Sequence, residues 1–304
     1  MKITLSGSLG HISKPLTQEL VQKGHSITVI SHNPERQKDI EALGATAAIG
    51  SIDDVAFLTA AFTGADVVYT MIPPSSDQGF TDPSNKNIFI CVMERCNNIM
   101  NNYARAIQQV GVRRVVHLSS IGAHMEKDSG LLILHLNAEA TLNKLQNIDV
   151  TFMRPVGFYY NLLGFIPAIK SMGMIASNYG GDDIIPWVSP IDIASNIAEE
   201  ITTPIEGRKV RYVASEEITC NEAASILGAA VGKPDLKWNV ISGEQLQSGM
   251  EKAGVPESIA AGLVEMQASM HNGDVYKDYY LNKPALGKVK MTDFAKEFAA
   301  AYNK

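Results

Sequence analysis

Cysteine is scarce in this chain. Cys91, Cys96 and Cys220 are the only three in 304 residues, and none has metal-binding spacing. So sparse and odd a count suits a reducing compartment. No run of about 18 apolar residues occurs, so no segment is expected to span a membrane. No basic segment with an apolar core and cleavage site opens the chain, and a cytoplasmic location is the expectation. Lysine and arginine form no run and the net charge is −6, so a nucleic-acid surface has little support. Internal repeats and low-complexity stretches are absent too. His124, His135 and His271 are not spaced as a metal set. Gly180-Gly181-Asp182-Asp183 lacks the alternating oxygen ligands of a calcium loop and reads as a turn.

What is present is ordinary for a soluble globular enzyme: 45 % hydrophobic and 19 % charged residues, enough for one elaborate domain or two modest ones. The most informative stretch comes first. Lys2-Ile3-Thr4-Leu5-Ser6 reads as a buried strand. Gly7-Ser8-Leu9-Gly10-His11-Ile12-Ser13 follows, and a helical pattern begins near Ile12. A strand that turns through close glycines into a helix is how a nucleotide pyrophosphate is held. Gly7 permits the turn, Gly10 lets backbone approach phosphate, and the helix N-terminus offers N–H groups and partial positive charge.

The residues beyond supply the context such a turn needs. Strand patterns over 2–5, 26–30, 45–49, 67–72, 115–118 and 150–154 alternate with helix patterns over 14–22, 37–43, 55–62, 87–109 and 131–145. A polar loop is expected over 75–86. Apolar strands alternating with helices imply right-handed crossovers and a parallel sheet covered on both faces. The fold class is therefore α/β, a doubly wound, Rossmann-like sheet with a smaller C-terminal α+β lobe. Residues 1–154 form the expected dinucleotide-binding domain and 155–304 the substrate lobe. In that second part, 191–201 reads as helix and 208–213 as a strand returning to the sheet. Helices follow over 219–231, 242–253, 257–271 and 291–302, the first opened by a Thr219/Glu222 capping box.

Several segments together resemble one family. They are Gly7-x-x-Gly10, Val67 to Pro74, Gly111 to Ser120, Arg154-Pro155-Val156-Gly157-Phe158-Tyr159-Tyr160-Asn161 and Trp187 to Ala194. In this order they resemble the NmrA-like group of atypical short-chain dehydrogenase/reductases. The resemblance runs from residue 1 to about 302 and includes Gly254-Val255-Pro256-Glu257. It implies either an NAD(P)H-dependent reductase of quinones and related small molecules, or a catalytically silent nucleotide sensor acting through a protein partner. A sugar-nucleotide epimerase or dehydratase is a third, weaker reading.

The resemblance also distributes roles. The loop Gly7, Ser8, Leu9, Gly10, His11 and Ile12 is the candidate pyrophosphate cradle. The second strand ends without an acid, and Ser31, His32, Asn33 and Arg36 can donate to a 2′-phosphate, which favours NADP(H) over NAD(H). Ser51 and Ile52 lie beside the adenine, and Asp53 reads as a cap for the next helix. Met71, Ile72 and Pro73 run along the nicotinamide side, and Ser119, His135 and Pro155 complete the cofactor set. The Tyr-x-x-x-Lys pair usual in short-chain dehydrogenases is missing: aligned on Glu139-Ala140-Thr141-Leu142, leucine stands at the tyrosine position and His135 at or near the lysine position. His135 is the candidate catalytic donor, or a helix histidine bonded to a carbonyl or the cofactor ribose. Pro74, Phe158, Tyr159, Tyr160 and Trp187 are the candidate substrate wall, suited to a flat uncharged molecule. Tyr159 and Tyr160 cannot both face it from an extended segment. Asn161 is expected to tie down a loop.

Overall fold

The computed structural model describes residues 1–73 and 87–304; Pro74 and the loop expected over 75–86 lie outside them. The first half runs β1 (Lys2–Leu5), α1 (Ser13–Gln22), β2 (Ser26–Ser31), α2 (Gln37–Ala42), β3 (Thr46–Ile49) and α3 (Val55–Phe62). It continues with β4 (Val67–Met71), α4 (Ile88–Val110), β5 (Arg114–Leu118), α5 (Ile133–Asn143) and β6 (Asp149–Pro155). The second half holds β7 (Gly157–Phe158), α6 (Ile166–Met172), β8 (Ile175–Ser177), β9 (Ile184–Val188), α7 (Pro190–Thr202) and β10 (Arg208–Val213). It ends with β11 (Glu216–Thr219), α8 (Cys220–Ala230), β12 (Trp238–Val240), α9 (Gly243–Lys252), α10 (Glu257–His271), α11 (Lys277–Leu281) and α12 (Met291–Tyr302).

Seven parallel strands form the main sheet in the order β10-β6-β5-β4-β1-β2-β3. The chain winds outward from β1 to β3, then crosses back to β4, so β1 and β4 neighbour each other across a topological switch point. β10 pairs with β6 along its whole length, as the returning strand was expected to do. The central strands are mostly apolar because helices cover both faces, with Thr4, Thr70, His117 and Thr151 as buried polar exceptions. On one face Leu58, Phe62, Ile99, Tyr103 and Leu142 from α3, α4 and α5 pack on the sheet. On the other, Leu16 and Leu20 of α1 and Ile193 and Ile197 of α7 join a core that continues into Trp187, Trp238 and Phe298. The second half thus shares one core with the α1 side of the sheet.

Local chemistry sets the helix ends. Gly111 closes α4 in the left-handed region (φ +71°), a conformation without cost for glycine. Thr219 and Glu222 form the expected capping box on α8, and Ser242 with Gln245 forms a second on α9. The cap of α3 is Asp54 rather than Asp53: its carboxylate accepts from the N–H groups of Ala56 and Phe57 at 2.8 and 3.2 Å. Two small sheets were not legible in the sequence. β9 pairs with β7 and β11, and β8 with β12; each strand is too short to show a period. Among the described residues no helix is long and apolar enough to cross a membrane, and no acidic, histidine or cysteine group could hold a metal.

Candidate functional site

The turn after β1 is tightly specified. Gly7 has φ +94°, and Ser8 also lies in the left-handed region at +53°. A Cβ on Gly7 would stand 2.8 Å from Ser13 Oγ and 3.3 Å from the Met71 side chain, so only glycine fits. Ser13 occupies the position where a third glycine is common. It uses its hydroxyl, donating to the Ser6 carbonyl at 3.2 Å and fixing α1 against the end of β1. Ser8 Oγ donates to Ser31 Oγ at 3.0 Å, tying the turn to the end of β2. No side chain caps α1; Lys14 N–H donates to the Gly10 carbonyl at 3.0 Å and Pro15 has no N–H, so the first turn offers an anion the N–H groups of Ile12 and Ser13.

Beside this turn lies a cavity of about 440 Å³ at the carboxyl ends of β1 to β4. Gly7, Ser8, Ser31, His32, Ser51, Ile52, Met71 and Pro73 line it together. Arg95 and Tyr103 from α4 line it as well. They stand eight positions apart on one helix face, a spacing readable in the sequence once α4 is known to cross the strand ends. Other expected members are engaged elsewhere. Arg36 pairs with Asp39 at 3.2 Å on the exposed surface. Asn33 turns back to accept from Glu35 N–H at 2.9 Å, since a short polar side chain before a turn caps it. Leu9, Gly10, His11, Ile12 and Ile72 do not line the cavity; Gly10 N–H donates to the Gly7 carbonyl at 3.3 Å and so shapes the turn.

Ser119 is also committed. It is buried and donates to Glu139 at 2.5 Å. Glu139 accepts twice more from Arg154, at 2.9 and 2.7 Å. Arg154 in turn reaches Asp278 at 3.1 Å and Tyr212 at 3.2 Å. Burial works against the Arg154 charge, but its bonds to Glu139 and Tyr212 win and hold its pKa above the ordinary value. This bidentate, buried pair locks α5 to β6 and to the C-terminal segment. Pro155 takes part only through its carbonyl, which accepts from Ile121 N–H at 2.9 Å.

His135 lines neither cavity. Among the described residues its Nδ1 has no hydrogen-bond partner, and burial pushes its pKa down to about 4. His117, hydrogen-bonded to Thr70 at 2.9 Å, is pushed down to about 3 by burial and then by His135. Burial holds both imidazoles in the neutral form near pH 7 and so works against a proton-donating imidazolium at residue 135.

A second cavity, of about 350 Å³, opens at the carboxyl ends of β5 and β6. Phe158 and Trp187 line it as expected, and so does Asn161, which therefore faces open space rather than only holding a loop. Tyr160 stacks instead on His11, with ring centroids 5.1 Å apart, and leans on Phe158. Tyr159 is turned away altogether. It is 1 % exposed, donates to Glu216 at 2.7 Å and stacks on Phe294 of α12, at the start of a 3-10 helical turn (Tyr159–Phe165) rather than in an extended segment. The remaining wall was missed from sequence. Leu263, Met266, Gln267 and Met270 of α10 line the cavity at helical i, i+3, i+4, i+7 spacing, with Tyr179 and Tyr276 beside them. None of the described lining residues is an acid, a base or a histidine.

A glycine turn at the switch point of a doubly wound parallel sheet defines the dinucleotide-binding class of α/β proteins. The chain belongs to the NAD(P)H-binding family, whose profile matches residues 7–164. It is similar to an NAD(P)H azoreductase of Xenophilus azovorans, 26 % identical over 269 residues that span 88 % of this chain and 86 % of that protein. Its fold matches an Escherichia coli NADPH-dependent quinone oxidoreductase complexed with NADPH. There the TM-score is 0.79 and the identity 20 %, over 97 % of this chain and 99 % of that one. It also matches a Citrobacter sp. triphenylmethane reductase complexed with NADP(H), with TM-score 0.75 and 21 % identity over 98 % and 99 % of the two chains.

Proposed function

We propose that this protein is an NAD(P)H-dependent oxidoreductase that reduces a flat, uncharged aromatic or quinone-like molecule. The observation that carries the reading is the pairing of two cavities on one edge of the sheet. One is built on the Gly7 turn and carries polar and charged side chains, Ser31, His32, Asp53 and Arg95 among them; the other is aromatic and without charged lining. The first fits a dinucleotide because Gly7 has no room for a side chain and α1 presents an uncapped N-terminus. When bound there, NAD(P)H supplies the hydride.

The chain's own residues do the rest. Gly7, Ser8 and the first turn of α1 hold the diphosphate, and Ile52 covers the adenine. Ser31 and His32, with Arg95 facing the same cavity and no acid at the end of β2, favour NADPH over NADH. Phe158, Trp187 and the α10 stripe hold the substrate and exclude water. The Glu139–Arg154 pair fixes the frame of β5, α5 and β6 around them. The NAD(P)H azoreductase likeness supports reductase chemistry on conjugated molecules. Within the family, the motif set is that of the NmrA-like group, and a cytoplasmic setting belongs to the same reading.

The test is NADPH oxidation by the purified protein against a panel of quinones and azo dyes. Quinone-dependent oxidation, faster with NADPH than with NADH, is the expected result. Tight NADPH binding with no turnover on any acceptor would favour the sensor reading instead.

A further inference from the structure

Five buried tyrosines surround the second half of the core, and they divide by what their hydroxyls do. Tyr159 donates to Glu216, Tyr212 to Asp278 and Tyr279 to Glu217, at 2.7, 2.5 and 2.7 Å. Tyr179 and Tyr276 are as deeply buried, at 6 % and 3 % exposed, yet both line the aromatic cavity. Among the described residues neither hydroxyl makes a hydrogen bond, and neither is among the sealed polar atoms. A buried hydroxyl without a partner costs free energy unless something else satisfies it. Because neither is sealed, both hydroxyls keep some accessible surface, and both residues line the same cavity. Gln267 stands in the same wall. Its Oε1 accepts from Ser177 at 2.6 Å, which leaves its NH₂ group as the end available to a ligand.

We propose that Tyr179 and Tyr276 are the donor pair by which this cavity recognises its ligand, an uncharged planar molecule with two hydrogen-bond acceptors, the chemistry of a 1,4-quinone. The inference rests on the reductase reading and adds the specificity-determining residues to it. Burial first, then Cys220 and the Asp183 carboxylate for both, and Tyr179 and Tyr280 for Tyr276, keep both phenols protonated far above neutral pH, so they donate throughout the working range. No described acid or base in the wall competes for the ligand's oxygens. A site of donors in an apolar shell accepts carbonyl oxygens and discriminates against hydrocarbons of the same shape.

The probe is 1,4-naphthoquinone, with naphthalene as its acceptor-free counterpart. Both are titrated calorimetrically into wild type, Tyr179→Phe and Tyr276→Phe without nucleotide. Each variant is expected to weaken naphthoquinone binding by roughly 3- to 10-fold. Naphthalene affinity and Tm should stay unchanged, because no internal hydrogen bond is lost. Naphthoquinone binding that is undetectable in wild type, or equal in all three proteins, overturns the proposal. Turnover separates this idea from the one it rests on. Tyrosine-dependent naphthoquinone binding without any NADPH oxidation sinks the reductase reading and upholds the donor pair. NADPH oxidation whose naphthoquinone KM ignores both substitutions does the reverse.

Discussion

The cavity beside Gly7 draws on the ends of four successive strands and on α4, all before residue 104. The aromatic cavity draws on segments scattered from Ser120 to Tyr276: two strand ends, a turn after β8, β9 and one face of α10. The first is a local device. Its turn is fixed by two glycines and a serine that touch one another, so a short stretch of sequence encodes it. The second exists only after the chain has folded, because its walls come from stretches near residues 120–132, 156–165, 179–187 and 263–276 that are distant from one another in sequence. A cofactor that many proteins share suits the first kind of site. A substrate that differs from protein to protein suits the second, where side chains can change without disturbing the turn.

The difference can be broken or sharpened by substitution. The largest effect is expected where the two halves are tied together. Arg154→Met leaves Glu139 buried without its partner and should destabilise the fold by about 3–5 kcal/mol in denaturant unfolding. A loss below about 1 kcal/mol would mean that Arg154, which also reaches Tyr212 and Asp278, does not hold α5, β6 and the second half together. Next comes Gly7→Ala, which adds a Cβ against Ser13 and Met71 at a positive φ. It should weaken NADPH by about 2 kcal/mol, roughly 30-fold, and leave naphthoquinone affinity alone. Equal losses for both ligands would erase the distinction between the cavities. Tyr159→Phe should cost about 1.5 kcal/mol of stability through the lost bond to Glu216, with substrate KM unchanged. Phe158→Leu should do the opposite: little change in stability, and a KM for aromatic substrates raised by about 1 kcal/mol, roughly fivefold, with NADPH affinity intact.

The smallest effect concerns pH. His135 and His117 are neutral when folded, with pKa values lowered to about 4 and about 3, whereas in the unfolded chain they titrate near 6.5. Their depressed pKa values mean that the unfolded state binds more protons below about pH 6.5. Stability is therefore fully kept above that pH and falls as the solution is acidified toward about pH 4. The slope of Tm against pH in that window should be shallower in His135→Phe than in wild type. The turnover profile should show no inflection near pH 6.5, and such an inflection, absent in His135→Phe, would return this histidine to the chemistry.

Most of the main sheet and of its helices was legible in the sequence, down to exact bounds for the strands Lys2–Leu5 and Arg208–Val213 and the helix Val55–Phe62. Buried parallel strands are short apolar runs closed by glycine, and that signal is local. The cofactor side was half legible. Gly7, Ser31, His32 and Met71 meet as the motif implied, but Arg36 and Asn33 found nearer partners in Asp39 and Glu35. Competition from a neighbour three or two residues away is invisible to a motif. The aromatic cavity was least legible. Phe158 was found because it follows the sixth strand and Trp187 because it follows the glycine-rich turn, whereas Tyr179, Gln267 and Tyr276 reach the site through loops and a helix whose docking no period records. Glu139 served only to align the missing Tyr-x-x-x-Lys, and its bond to Ser119 emerges only when α5 lies against β5.

A crystal structure of the ternary complex with NADP⁺ and 1,4-naphthoquinone tests the division of labour most directly. The account predicts the diphosphate on the Gly7–Gly10 turn at the N-terminus of α1. It predicts the naphthoquinone between Phe158, Trp187 and α10, with its oxygens toward Tyr179 and Tyr276. A nucleotide lying outside the Gly7 cavity, or a quinone bound away from the aromatic one, would contradict it.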